Sequence, residues 1–344
     1  MKNDSMLKEV RVQDAIGMML AHDLTQILPG RFKGRLFKKG HVIRDTDIEQ
    51  LLSIGKEHIY IIELQGGFIH EDEAALRLAE AVCGNFTKLS DPHEGKVSVL
   101  STINGLAKVN PSFVDKANAV DQVVISTLRN NTVVKENQSL VGARVIPLIV
   151  EEEKICRIEQ LALQWKEKTC SDSLVSVKPF RPFKVGLVTT GGEVFSGRIA
   201  DKFGPIVREK VAALGSEIVE QRLVPDDREH IVAEIRYFAE QGVDMILLTG
   251  GMSVDPDDRT PGAIQASGAE IISYGTPMLP GSMLMMAYLK VEDGNRMIPV
   301  LGLPGCVMHD PYTSFDVLLP RICAGERITR ADITAMGYGG LYSC

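Results

Sequence analysis

Residues 243–274 read VDMILLTGGMSVDPDDRTPGAIQASGAEIISY. The run VDMILLT is apolar almost throughout and shows none of the alternation of a strand with one wet face. It fits a strand covered on both sides, as in a parallel sheet packed between helices. The run stops at Gly250–Gly251, where the backbone gains freedom. TPGAIQASG then reads as a short helix with a glycine stop, and AEIISYG as the next strand.

The same rhythm extends in both directions. Upstream, KVGLVTT ends at Gly191–Gly192. Ile199, Phe203, Ile206, Val207, Val211 and Leu214 then form one helical face closed by Gly215. EIVEQRLV follows as a strand, and PDDREHIVAEIRYFAEQG as a helix with acidic residues at its start. Downstream, RMIPVLGLPG and a final helix in DPYTSFDVLLPRICAG complete the alternation. Residues 184–326 are therefore expected to form an α/β domain: a three-layer, mostly parallel sheet with helices on both faces. Ligands of such folds sit outside the carboxyl ends of the strands. Three glycine-rich segments, TTGGEVFSG, TGGMSVDPDDRTP and GLPGC, should converge there.

The chain has 344 residues, room for two or three domains. Residues 1–65 combine a short helix in DTDIEQLLSIG with a strand in EHIYIIEL. Residues 66–170 begin with a helix in HEDEAALRLAEAVCG and end with one in EKICRIEQLALQWKEK. Between them lie the strand-like KVSVLST, QVVISTLRNNTVV and GARVIPLIVEE. Both regions read as smaller mixed α/β units. SDSLVSVKPFRPF, rich in Ser and Pro, reads as a linker covering 171–183, and 327–344 as a C-terminal tail.

Hydrophobic residues make up 44% and charged residues 24%, the balance of a folded globular protein. A net charge of −7 argues against a general nucleic-acid surface. No apolar stretch approaches the roughly 18 residues of a membrane span, and the start lacks a secretory layout. A cytoplasmic protein without membrane contact is expected. The 6 cysteines include no Cys-x-x-Cys pair and fit reduced thiols. The 7 histidines show no metal-binding spacing, and the methionines of SMLMMAY read as packing residues.

Glycine loops at strand ends let several N–H groups aim at one anion, and a following helix adds partial positive charge. There is no Walker lysine and no Gly-x-Gly-x-x-Gly after the first strand. Glu193 follows the first glycine pair; Asp255, Asp257 and Asp258 follow the second. Carboxylates beside a phosphate cradle suit magnesium shared with the ligand. Each also has a plainer reading: Asp226 and Asp227 as helix caps, Asp255 and Asp257 as turn residues, Asp258 as the cap of the helix at RTPGAIQ.

TTGGEV, VPDD, TGGMSVDPDDRTP, LPGS and LPGC, in this order, resemble the ordered motifs of the molybdenum-cofactor biosynthesis (molybdopterin-binding) domain family. The domain is shared by molybdopterin molybdotransferases and adenylyltransferases. The resemblance spans about residues 184–324. GMMLAHDL and FKKGHVIRDTDIEQLLSIGKEHIYI also resemble the front of a molybdotransferase, so the chain looks like a shortened one. The resemblance implies catalytic roles for Asp258, Glu193 and Asp227, and metal binding by Asp258 and Asp257. It implies cofactor binding by Thr190, Gly191, Gly192, Gly250, Gly251, Ser253, Pro280, Gly281, Ser282, Pro304 and Gly305. The expected ligands are molybdopterin, or its adenylylated form, and Mg2+.

Three departures bear on activity. Gly192 stands where the family usually has Asp, PGSM lacks a lysine of the molybdotransferase turn, and no β-barrel is expected after Pro320. The leading expectation is therefore pterin-phosphate binding in molybdenum cofactor biosynthesis, extending to molybdate insertion by a transferase. The alternatives are a carrier without turnover and a competence-damage-type nucleotide pyrophosphatase, whose loop GGMSVDPDDRT also resembles. By the same resemblance a homodimer is expected, with a molybdoenzyme or another cofactor-biosynthesis protein as partner.

Overall fold

The computed structural model describes residues 7–28, 32–62, 66–169, 174–253, 255, 258–291 and 296–342. It divides into two compact units, Met1–Lys178 and Pro179–Cys344. No described helix is long and apolar enough to cross a membrane.

In the first unit, the strand Leu7–Arg11 pairs antiparallel with His58–Ile62, around a small core of Val12, Leu20, Ile43 and Leu51. A second core lies under the helices Glu71–Val82 and Glu152–Thr169. It is faced by a sheet in the order Thr87–Leu89, Lys96–Ser101, Ser139–Val145, Val123–Thr127. His70 caps the first of these helices by accepting the Asp72 N–H, and its Nε2 lies 2.8 Å from the Ala21 carbonyl oxygen. The structure departs from the sequence reading at the expected linker. Val175–Pro179 is a strand beside Gly105–Val109, with Val175 and Val177 buried. Its period-two pattern is short enough to be hidden among serines and prolines.

The second unit is built on β1 (Lys184–Thr190), α1 (Phe203–Ala212), β2 (Glu217–Val224), α2 (Arg228–Glu240), β3 (Met245–Thr249), α3 (Thr260–Ala266), β4 (Glu270–Tyr274), β5 (Met285–Lys290), β6 (Met297–Leu303), α4 (Ser314–Cys323) and α5 (Arg330–Ala335). The sheet order is β2-β1-β3-β6-β5-β4. The first four strands are parallel; β5 runs antiparallel to both β6 and β4. One core joins Leu187, Leu247 and Leu301 to Val207, Val211 and Phe315 of α1 and α4. The other joins Val188, Ile246 and Leu248 to Ile231, Phe238 and Ile264 of α2 and α3. Successive residues of one strand thus feed opposite cores, which is why β3 is apolar from Met245 through Leu248. Truncating a leucine such as Leu247 to alanine would cost about 2–5 kcal/mol.

The MMAY of SMLMMAY opens β5, which is buried along most of its length. Residues 327–344, expected as a tail, contain α5 and return to the β4–β5 connection. There the Leu279 N–H donates to the Gly340 carbonyl, and the Tyr342 N–H to the Leu279 carbonyl, both at 2.9 Å.

Candidate functional site

The carboxyl ends of β1, β3 and β6 lie at one edge of the sheet, together with the connection that leaves β4 and enters β5. Thr189, Thr190 and Thr249 are buried there, and the Thr249 hydroxyl donates to Thr189 Oγ1 at 3.1 Å. Threonine suits a strand end because its branched side chain packs on the sheet while the hydroxyl serves the loop beyond.

Gly250 and Gly251 adopt φ of 88° and 56°. A Cβ on Gly250 would stand 2.3 Å from the Thr190 carbonyl oxygen; one on Gly251 would stand 2.9 Å from Thr260 Oγ1. Thr260, the first residue of α3, pins the same loop: its hydroxyl donates to the Gly250 carbonyl at 2.8 Å and its N–H to the Gly251 carbonyl at 3.2 Å. These glycines are required by packing between loops. Gly192 differs: a Cβ there would meet nothing within 4 Å. Its N–H donates to Asp226 Oδ2 at 3.0 Å, tying the first loop to the end of β2.

The Asp226–Asp227 pair divides its work. Asp227 is exposed and caps α2, accepting the Glu229 and His230 N–H groups at 3.0 and 3.1 Å. The His230 amide, then the His230 ring at 2.7 Å, hold its carboxyl below the ordinary value. Asp226 turns into the loop cluster. Its Oδ1 is buried without a hydrogen-bond partner among the described residues, 3.3 Å from where a Gly251 side chain would begin. Asp226, read from sequence as a cap, is thus the inward carboxylate, and Asp227 takes the cap. Two adjacent aspartates at a helix start are themselves a usable signal, because only one can occupy the cap position.

Asp258 is half-buried and folded onto its own loop, with Oδ2 3.3 Å from the Asp255 N–H and its own N–H donating to the Asp255 carbonyl at 2.9 Å. Asp257 lies outside the described residues. Tyr274, at the end of β4, donates its hydroxyl to the Met252 carbonyl at 3.2 Å and contacts the Ser253 carbonyl at 3.4 Å. Burial, and then the charge of Asp258, push its pKa up. Nothing in AEIISYG distinguished this tyrosine from a packing residue.

Glu193 is exposed in a one-turn helix, Gly192–Phe195, and its carboxylate accepts no hydrogen bond among the described residues. Ser253 is exposed. Pro280 and Gly281 are buried, and the Gly281 carbonyl accepts the hydroxyls of Thr276 and Ser314 at 2.8 and 2.7 Å, with Ser282 half-buried beside it. Pro304 is buried and Gly305 exposed at the end of β6, where a Cβ would meet nothing within 4 Å. The contacts therefore join Thr190, Gly192, Asp226, Gly250, Gly251 and Thr260 directly, and Asp258 to the same loop. The two Pro-Gly turns share the edge without a described contact to that cluster.

Residues 186–323 match the family described as a probable molybdopterin binding domain. The second unit carries a molybdenum-cofactor biosynthesis domain. Residues 9–63 match a domain of unknown function. The chain is 30% identical over 157 residues to the molybdopterin molybdenumtransferase of Synechococcus elongatus, covering 43% of this chain and 38% of that protein. It is 39% identical over 77 residues to a CinA-like protein of Mycobacterium tuberculosis, covering 22% and 18% of the two chains. The chain thus spans less than half the length of either relative. Among solved structures, the molybdopterin biosynthesis enzyme MoaB of Thermus thermophilus is 24% identical with a TM-score of 0.33, over 42% of this chain and 98% of that one. The cofactor-biosynthesis domain is α/β in this chain, as its alternating sequence predicts, and its three glycine-bearing strand ends occupy one edge.

Proposed function

We propose that this edge binds the phosphate of molybdopterin, or of adenylylated molybdopterin, and that the protein acts in molybdenum cofactor biosynthesis. The observation that carries the reading is the unpartnered Oδ1 of Asp226 beside an open backbone at Gly192. A buried carboxylate oxygen without a donor is costly, and an arriving phosphate would add repulsion. A cation answers both.

Magnesium fits this donor set. It prefers oxygen ligands and is commonly held by one or two carboxylates together with substrate phosphates. No cluster of three or more His, Cys, Asp or Glu suited to a metal occurs among the described residues, so substrate phosphate and water would complete the shell. Asp226 and Asp258 are the described carboxylates that would hold the ion, which would supply charge neutralisation at the phosphate. Gly192 and Gly305 let the ligand come close to the backbone. Thr190 and Thr260 keep the second glycine loop in place, and Tyr274 ties that loop to β4. Molybdate insertion would then rest on positioning and charge stabilisation, with no covalent enzyme intermediate.

The test is pterin content and turnover. Protein isolated from cells that make molybdopterin should carry the pterin, detected by fluorescence after oxidation, and Asp226→Asn should carry much less. Molybdate- and magnesium-dependent release of AMP from adenylylated molybdopterin would support insertion; binding without release would make the protein a carrier. Absence of pterin from the unaltered protein would overturn the reading.

The similarity to CinA-like proteins over 77 residues favours one second reading, a nucleotide pyrophosphatase. Water would attack one phosphorus of the anhydride, the bridging P–O bond would break, and two monophosphates would leave. Divalent-cation-dependent hydrolysis of ADP-ribose by the purified chain would select it.

A further inference from the structure

A cavity of about 430 Å3 opens at the end of the second unit's sheet opposite the candidate site, beside Phe183, Asp244 and Met297 at the starts of β1, β3 and β6. That volume suits a small organic ligand. Tyr288, Pro299 and Ile322 give it apolar walls, and three guanidinium groups line it: Arg181, Arg296 and Arg327.

The charges around the cavity do not cancel. Asp244 accepts the Lys184 N–H at 2.9 Å, and Glu326 pairs with Arg321 at 2.9 Å. Arg327 lies over the Tyr288 ring, 5.3 Å from its centroid, and meets the exposed Glu270 at 3.3 Å. Arg296 donates to the carbonyls of Gly242 and Val243 at 3.2 and 3.1 Å, and its Nε has no partner among the described residues. Arg181 is exposed and lies against Gly325, whose missing side chain would begin 3.3 Å from the guanidinium carbon. Among the described residues it makes no ion pair and no side-chain hydrogen bond. The lining sets the guanidinium groups of Arg181, Arg296 and Arg327 against the carboxylates of Asp244 and Glu326, a small positive excess in a chain of net charge −7, with Arg181 unpaired among the described residues.

We propose that this cavity binds an organic anion with a flat apolar body: an aromatic carboxylate, sulfonate or phosphate monoester. The ring covers Phe183, Tyr288 and Ile322, and the anionic group meets Arg181 and Arg327. An inorganic anion leaves the apolar wall wet, and a neutral ring leaves Arg181 unpaired. The cavity is separate from the glycine loops because it sits at the amino ends of the strands whose carboxyl ends carry them.

The test is calorimetry on the full chain with 2-naphthalenesulfonate as probe, with sulfate and 2-naphthol as the separated halves. The sulfonate should bind about tenfold tighter than either half, each tenfold being about 1.4 kcal/mol. Arg181→Gln with Arg327→Gln should weaken it at least about tenfold, since charge-assisted contacts are lost. The charge-keeping pair Arg181→Lys with Arg327→Lys should bind with intermediate strength, which guards against a folding defect in the glutamine variant. Asp226→Asn should leave probe binding unchanged. Binding that survives the glutamine substitutions in folded protein, that disappears in Asp226→Asn, or that sulfate matches would overturn the proposal.

Discussion

The glycine pairs at 191–192 and 250–251 end adjacent parallel strands and look alike as sequence, yet their surroundings differ. At 250–251 both residues have positive φ, and both missing side chains would run into Thr190 or Thr260. At Gly192 φ is not positive and the side-chain direction is empty. The first requirement is internal, because two loops approach within van der Waals contact. At Gly192 nothing inside the protein requires a glycine, whereas Gly191 beside it has a φ of 142°; the open space at Gly192 is what the proposed ligand approach would use. A glycine-rich loop is therefore two different statements until the Cβ positions are built.

The comparison breaks most visibly at Gly250. Gly250→Ala places a methyl 2.3 Å from a backbone oxygen at φ 88°, so urea unfolding should show a loss of about 3 kcal/mol or more. An unchanged midpoint would remove the packing argument. Next in size is Asp226→Asn, which keeps an acceptor for the Gly192 N–H but removes the charge. Magnesium-dependent pterin binding should fall about tenfold or more, with stability changing by less than about 1 kcal/mol. Gly192→Ala sharpens the contrast with Gly250: stability should hold within roughly 0.5 kcal/mol while pterin binding weakens several-fold in the same titration.

The smallest effect is expected at Asp227, where alanine should lower thermal stability slightly and leave binding intact. Its carboxyl titrates lower in the folded state than its ordinary 3.8, mainly through the His230 amide. Its contribution is therefore present above that ordinary value and lost as pH falls through the lower folded one. Thermal melts of the two proteins should differ at neutral pH and converge in acid.

Legibility followed the range of the interactions. The alternation of 184–326 was readable because doubly covered strands and one-faced helices leave distinct periods, as in Met245–Thr249 and Arg228–Glu240. β5 was not, because an antiparallel strand buried on both faces, MMAYLK, carries no alternation and no β-branched residue. At the site, the glycines and acidic residues stood out as types, whereas Tyr274 and Thr260 did not. Their roles come from hydroxyls that reach carbonyls of the 250–253 loop from other elements. The division between Asp226 and Asp227 was hidden for a related reason. Both satisfy the local preference of a helix start, and only the position of Gly192 across the edge gives the first one a partner.

By itself the sequence determined the class of the second unit, the edge at which its loops gather and the residue types available there. These depend on local period and on the handed, parallel connection of strands, which short-range chemistry encodes. Only the tertiary structure decided which glycines are packed and which are open, and which aspartate faces the cluster. It also decided that a cavity lined by three arginines lies at the far end of the strands. Those outcomes depend on groups far apart in the chain meeting within a few ångströms, a distance that no local pattern records.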